Sequence, residues 1–125
     1  MKKAIFSTEI SMLRSTMQRL LRRKADTNLT KILRKTHQAD VALIMRGLNQ
    51  FDQTKIFTLC PTAKHKARLL EELDDAIIES VLKFESAKNI SKIFRYLDTN
   101  DQALIANMFD LNKQKDVLSI IEEED

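Results

Sequence analysis

A ladder of apolar doublets runs through the chain and limits what it can fold into. Leu20-Leu21, Ile32-Leu33, Ile44-Met45 and Ile56-Phe57 follow one another at steps of 12 residues. After one extra residue near Pro61, Leu69-Leu70, Val81-Leu82, Ile93-Phe94, Ile105-Ala106 and Val117-Leu118 resume the same step of 12. Self-similarity at a fixed period is the signature of a repeat architecture. Twelve residues accommodate one tight turn and one helix roughly 15 Å long at the α-helical rise. A 24-residue period lies above this one, because Leu48, Leu73, Leu97 and Ile121 each fall three residues after alternate doublets. The unit is therefore a helix pair. The expected fold is all-α, a superhelix of short antiparallel helices.

The composition agrees. With 1 Gly and 1 Pro in 125 residues, and Leu, Ile, Lys, Glu, Ala and Gln abundant, the chain favours helix throughout. Its length suits one domain that buries about two thirds of its unfolded surface. Val41–Met45 is the longest wholly apolar run, far short of the roughly 20 residues that span a bilayer. Glu9, Ser11 and Arg14 interrupt any leader-like apolar core after Lys2-Lys3. A lone Cys60 has no partner for an internal disulfide, and together these features predict a cytoplasmic protein.

The net charge of +3 conceals an asymmetry. Residues 1–37 carry ten Lys/Arg against two acids, and residues 38–125 carry eleven against sixteen. The pattern predicts a basic amphipathic N-terminal helix over residues 1–27 and a repeat domain over residues 28–125. Residues 1–8 show no pattern and are expected to fray, with Ser7 or Thr8 capping the first helix. Further helix starts are expected at Asp26-Thr27-Asn28, Thr36-His37-Gln38, Asn49, Thr62, Asp74-Asp75, Ser86, Asp98 and Asp110–Asn112. Pro61 closes the helix carrying Ile56-Phe57. Ile77, Ile78, Val81, Leu82 and Phe84 share one helix, and Gly47 lies near a helix end, where glycine is tolerated or wanted. The four acids Glu122–Asp125 oppose a helix C-terminal dipole and predict fraying there.

Particular stretches carry a resemblance. His37-Gln38-Ala39-Asp40-Val41-Ala42-Leu43-Ile44, Leu59-Cys60-Pro61, Leu69-Leu70-Glu71-Glu72-Leu73-Asp74 and Leu97-Asp98-Thr99-Asn100-Asp101 resemble the cytosolic N-terminal domain of MgtE-type magnesium transporters. That family's pattern runs His-Pro-Ala-Asp-Ile-Ala, Leu-Leu-Pro and repeated Leu-Glu-Glu-Leu. The similarity covers about residues 28–121. It implies a right-handed superhelix and a regulatory domain in which carboxylates shared with CBS domains bind Mg2+. At positions where the family often carries acids this chain has Arg68, Asn100 and Leu104, while Asp98 and Asp101 keep theirs. Asp98 and Asp101 are thus the expected metal ligands, and Mg2+, weakly held, the expected ion. Two carboxylates suffice for an ion that retains most of its waters. A more distant resemblance, through Thr36-His37-Gln38, is to the middle domain of the flagellar rotor protein FliG, which implies a self-assembling scaffold.

Enzyme chemistry is not expected, since no Gly-rich phosphate loop, Cys/His metal spacing or nucleophile elbow is present. Cys60 is read as a small buried hydrophobe, His37 as the organiser of its turn, His65 as a solvated residue, and the methionines as largely core. Asp74, Asp75, Asp98 and Asp101 have a sufficient role as helix caps. Arg19, Arg22, Arg23, Lys24, Lys31, Arg34 and Lys35 lie off the apolar stripe. They form an expected docking surface for an acidic protein or an anionic membrane. Nucleic acid is not an expected partner, because few aromatics accompany these charges. The sequence thus reads as a non-catalytic regulatory or protein-interaction module.

Overall fold

A computed structural model describes residues 2–124, and the side chains of residues 8–123. Among these it contains nine helices and no strand: α1 (Lys2–Arg22), α2 (Asp26–Lys35), α3 (Gln38–Met45), α4 (Gln50–Leu59), α5 (Ala63–Glu72), α6 (Asp75–Leu82), α7 (Ala87–Phe94), α8 (Thr99–Ala106) and α9 (Leu111–Glu124). Each helix carries one doublet of the ladder, so the fold is the all-α helical repeat expected. The chain divides into two compact units, Met1–Pro61 and Thr62–Asp125. The extra residue in the ladder falls at that division. The expected division after residue 27 lies inside the first unit, within the first turn of α2.

In the first unit, α1 packs on α2 and α3, and α4 packs on α2 and α3. Met17, Leu29, Leu33, Val41, Ile44, Met45, Ile56 and Phe57 are buried at its centre. The Thr30 hydroxyl donates to the Leu59 carbonyl at 3.0 Å, and Lys55 pairs with Asp26 at 3.0 Å, tying α2 to α4. In the second unit, α7 packs on α5 and on α9. Its core comprises Leu69, Leu70, Ile78, Val81, Leu82, Ile90, Ile93, Phe94 and Ile105. Ser91 donates from α7 to the Ala87 carbonyl at 2.7 Å and to Val117 of α9 at 3.4 Å.

Helix starts follow the expected chemistry at most joins. His37 Nδ1 accepts from the Ala39 N–H at 3.1 Å, Asn49 from Asp52 at 2.8 Å, Thr62 from His65 at 3.1 Å, and Ser86 from Asn89 at 3.1 Å. Asp98 accepts from Asp101 at 2.8 Å and Asp110 from Lys113 at 2.8 Å. Each satisfies one of the amides that a helix N-terminus leaves without an intrahelical partner.

Several expectations are corrected. Residues 2–8 belong to α1 rather than to a frayed arm, so Ser7 and Thr8 lie inside that helix; Met1 is outside the described residues. α2 begins after Ala25 without a side-chain cap, and Asp26 is engaged by Lys55 instead. Glu122 and Glu123 remain helical in α9, while Asp125 lies outside the described residues. His65 is half-buried, its Nδ1 2.6 Å from the Thr62 hydroxyl, rather than solvated. Gly47 lies just past the end of α3 as expected, without a positive φ, and the Arg14 guanidinium carbon lies 3.5 Å from where its Cβ would stand. The left-handed residue is Lys24, at φ 54°. It closes α1 with a pair of crossed bonds, Ala25 N–H to Leu20 O at 3.0 Å and Lys24 N–H to Leu21 O at 3.2 Å. This is the arrangement that glycine ordinarily serves at a helix C-terminus. Phe84 falls beyond α6 and is 84% exposed, with the Lys83 ammonium 5.5 Å from its ring centre. Met12 is likewise exposed, whereas Met17 and Met45 are core as expected.

Candidate functional site

The second unit holds a cleft of about 190 Å³ between residues of α5, α6, α8 and their joins. Its floor is formed by the buried Leu70, Leu73, Ile78, Leu97 and Ile105, and its rim carries Leu104 with Glu71, Asp75 and Asp101. The ladder explains the floor. Leu70 and Ile105 are doublet residues, and Leu73 and Leu97 are the trailing residues of the 24-residue unit. Leu104 precedes a doublet and stands 49% exposed at the cleft. Where the resembled family often has a carboxylate, this chain places an apolar contact.

Asp98 and Asp101 are brought together by capping. Asp98 is the N-cap of α8, and one of its oxygens accepts the Asp101 amide. The Asp101 carboxyl is raised above the usual carboxylate range, first by partial loss of solvent and then by the negative charges of Asp98 and Glu71. Among the described residues no three His, Cys, Asp or Glu side chains converge to hold a metal ion. An ion at Asp98 and Asp101 would therefore rest on two carboxylates and its own waters. Arg68 faces the same rim. It bonds Glu71 at 2.7 Å and donates to the Tyr96 carbonyl at 3.0 Å, so its charge is spent on fastening α5 to the end of α7.

The seven expected basic residues belong to the first unit and all are exposed. Arg19 and Arg22 occupy the last turns of α1, Arg23 follows its end, and Lys24 takes the left-handed position. Lys31, Arg34 and Lys35 lie on the exposed face of α2, opposite Leu29 and Leu33. Among the described residues none of the seven side chains forms an ion pair. Cys60 is buried, 6% exposed, and His37 performs the turn role expected of it.

One functional group of residues escaped the sequence reading. Gln53 Nε2 donates to the carbonyls of Met45 at 2.8 Å and Leu48 at 3.1 Å. Gln102 donates in the same way to Phe94 at 2.7 Å and Leu97 at 3.1 Å. Gln114 reaches the Phe109 carbonyl at 2.9 Å. Each glutamine stands four residues after an N-cap and ties down the C-terminal end of the preceding helix, whose last carbonyls lack intrahelical donors. The signal was available: Asn49–Gln53, Asp98–Gln102 and Asp110–Gln114 share a cap-x-x-x-Gln spacing.

Among the described residues, nine helices built on one 12-residue step, with an open cleft in the second unit, define an all-α helical-repeat protein. The family described as the MgtE intracellular N domain matches residues 36–125, and the chain belongs to it. The match begins one residue before His37, the N-cap of α3. No curated protein and no solved structure matches the chain. Among the described residues no helix is long and apolar enough to cross a membrane.

Proposed function

We infer that the chain is a non-catalytic intracellular regulatory module that docks a protein partner through the cleft of its second unit. Family membership supports the regulatory class. The cleft supports the docking reading: Leu104 stands exposed at it as an apolar contact, and the carboxylates of Asp75 and Asp101 favour a partner with basic residues. Such a partner would also relieve the repulsion that raises the Asp101 carboxyl. Magnesium is a weak secondary contact at Asp98 and Asp101 in this reading.

Docking is tested by placing a photocrosslinking side chain at Leu104 in cells that express the chain. A discrete protein adduct is expected from Leu104, and Asp75→Lys should abolish it. Equal yield from Phe84, which is exposed outside the cleft, would sink the docking reading. The cation contact is tested separately, by amide NMR with magnesium chloride against sodium chloride of equal ionic strength. Saturable millimolar shifts in the first turn of α8 are expected, and they should disappear in Asp101→Asn. Shifts no larger than the sodium control would remove magnesium from the account.

A further inference from the structure

We propose that the outer faces of α1 and α2 form a docking surface for an anionic lipid membrane. What these helices expose is of one sign. From Ser11 to Lys35 twelve residues are exposed. Seven are the cations described above, five are Ser11, Met12, Ser15, Thr27 and Asn28, and none is acidic. Asp26, the one acid of that stretch, is half-buried and held by Lys55 at 3.0 Å. The nearest exposed acid in sequence is Glu9, one turn before Met12. A face kept only for solubility mixes the two signs. α5 does so, exposing Lys64 and Arg68 with Glu71 and Glu72. A surface of one sign repels itself and attracts an opposite charge of similar breadth.

The two faces are adjacent and outward. α1 and α2 pack on each other, and their cations lie opposite the buried Met17, Leu29 and Leu33, with Lys24 at the join. The Arg23 N–H donates to the Arg19 carbonyl at 3.0 Å, so Arg23 keeps the helical register past the end of α1. It shares one stripe with Arg19 and with Met12, which is 67% exposed. Protein interfaces are anchored by aromatic and other large apolar side chains and are depleted in charge at their centre. Here Met12 is the one large apolar side chain among the twelve exposed residues. Nucleic-acid recognition adds aromatic side chains that stack on bases, and residues 11–35 contain none. A headgroup layer needs neither an anchor nor a matching shape. It attracts each Lys or Arg that comes within a Debye length of about 10 Å, and a cluster of about four to eight suffices to recognise anionic lipid. Met12 then enters the headgroup layer beside Arg19.

Co-sedimentation of the full chain with phosphatidylcholine vesicles, with and without phosphatidylserine, tests this. Binding is expected only with phosphatidylserine, and it should weaken tenfold or more between about 50 and 500 mM salt. Arg22→Glu with Arg23→Glu should lower the affinity at least tenfold, and so should Lys31→Glu with Lys35→Glu, because cations of both helices meet the membrane. Lys88→Glu with Lys92→Glu reverses the same amount of charge on exposed residues of α7 and should stay within about twofold of wild type, its cations lying outside the surface. Matching urea transitions show that all three variants fold. A wild-type chain without preference for phosphatidylserine overturns the proposal, as does an α7 pair that costs as much as the α1 pair. Tighter binding at the same salt to duplex DNA or to polyglutamate also overturns it, assigning the cations to nucleic acid or to an acidic protein.

Discussion

Phe94→Ala is expected to destabilise the chain by about 3–5 kcal/mol, the range for truncating a buried phenylalanine. Phe94 is 1% exposed in α7, the helix that packs on both α5 and α9. Removing its ring leaves a cavity where two helices meet a third, and backbone held by the Ser91 and Gln102 bonds resists collapse into it. Folded domains are stable by only about 5–15 kcal/mol, so the variant should lose much of its cooperative transition in urea, followed by far-UV circular dichroism. The control is Leu118→Ala. It removes a doublet residue of the same register, but one half-exposed to solvent, and is expected to cost about 1 kcal/mol or less. Equal losses in the two variants would mean that register in the ladder, rather than tertiary cover, sets the energetic weight of a doublet.

The second large effect is expected at Gln53. The residue is 7% exposed, and its amide donates to two carbonyls at the end of α3. Gln53→Ala leaves both without this donor in a region water scarcely reaches, at an expected cost of about 2–3 kcal/mol. Gln53→Glu separates hydrogen bonding from packing. An ionised carboxylate there cannot donate and faces two carbonyl oxygens, so the loss at pH 7 should exceed that of the alanine variant. The introduced carboxyl would titrate above its unfolded value of about 4.3. Its folded state then binds more protons than the unfolded state across that window. Stability relative to wild type should therefore recover as the pH falls from 7 through the raised pKa, and no further below about pH 4. A pH-independent loss would show that the amide acts through its shape alone.

Much of the fold could be read from local chemistry. Doublet spacing predicted one helix per step. Asn49, Thr62, Ser86 and Asp98 announced their helix starts, because an N-cap needs only a short polar side chain and the amide three residues on. His37 was readable for the same reason, its ring accepting an amide two residues away. Where a longer reach intervened, local signals failed. Asp26 looks like a cap, yet the ammonium of Lys55, 29 residues on, engages it at 3.0 Å. Phe84 has the composition of a core residue, but it falls past the last turn of α6 and faces outward. The glutamines at 53 and 102 were visible as residues, not as clasps, because their acceptors are carbonyls of another helix.

The candidate cleft divides similarly. Glu71, Asp75 and Asp101 lie on three helices, and nothing in their spacing says that they share a rim. Arg68 reads from sequence as a charge hostile to cations, and only the structure turns it onto Glu71 and the Tyr96 carbonyl. The sequence by itself determined the helical class, the number of helical steps and the residues available for the core, because periodicity and capping are short-range properties of the backbone. Tertiary structure decided which doublets are covered, which charges are neutralised and where an open cleft remains. Burial and Coulombic pairing depend on which distant residues meet, and a 12-residue period repeats the same invitation to pack without saying which helix accepts it.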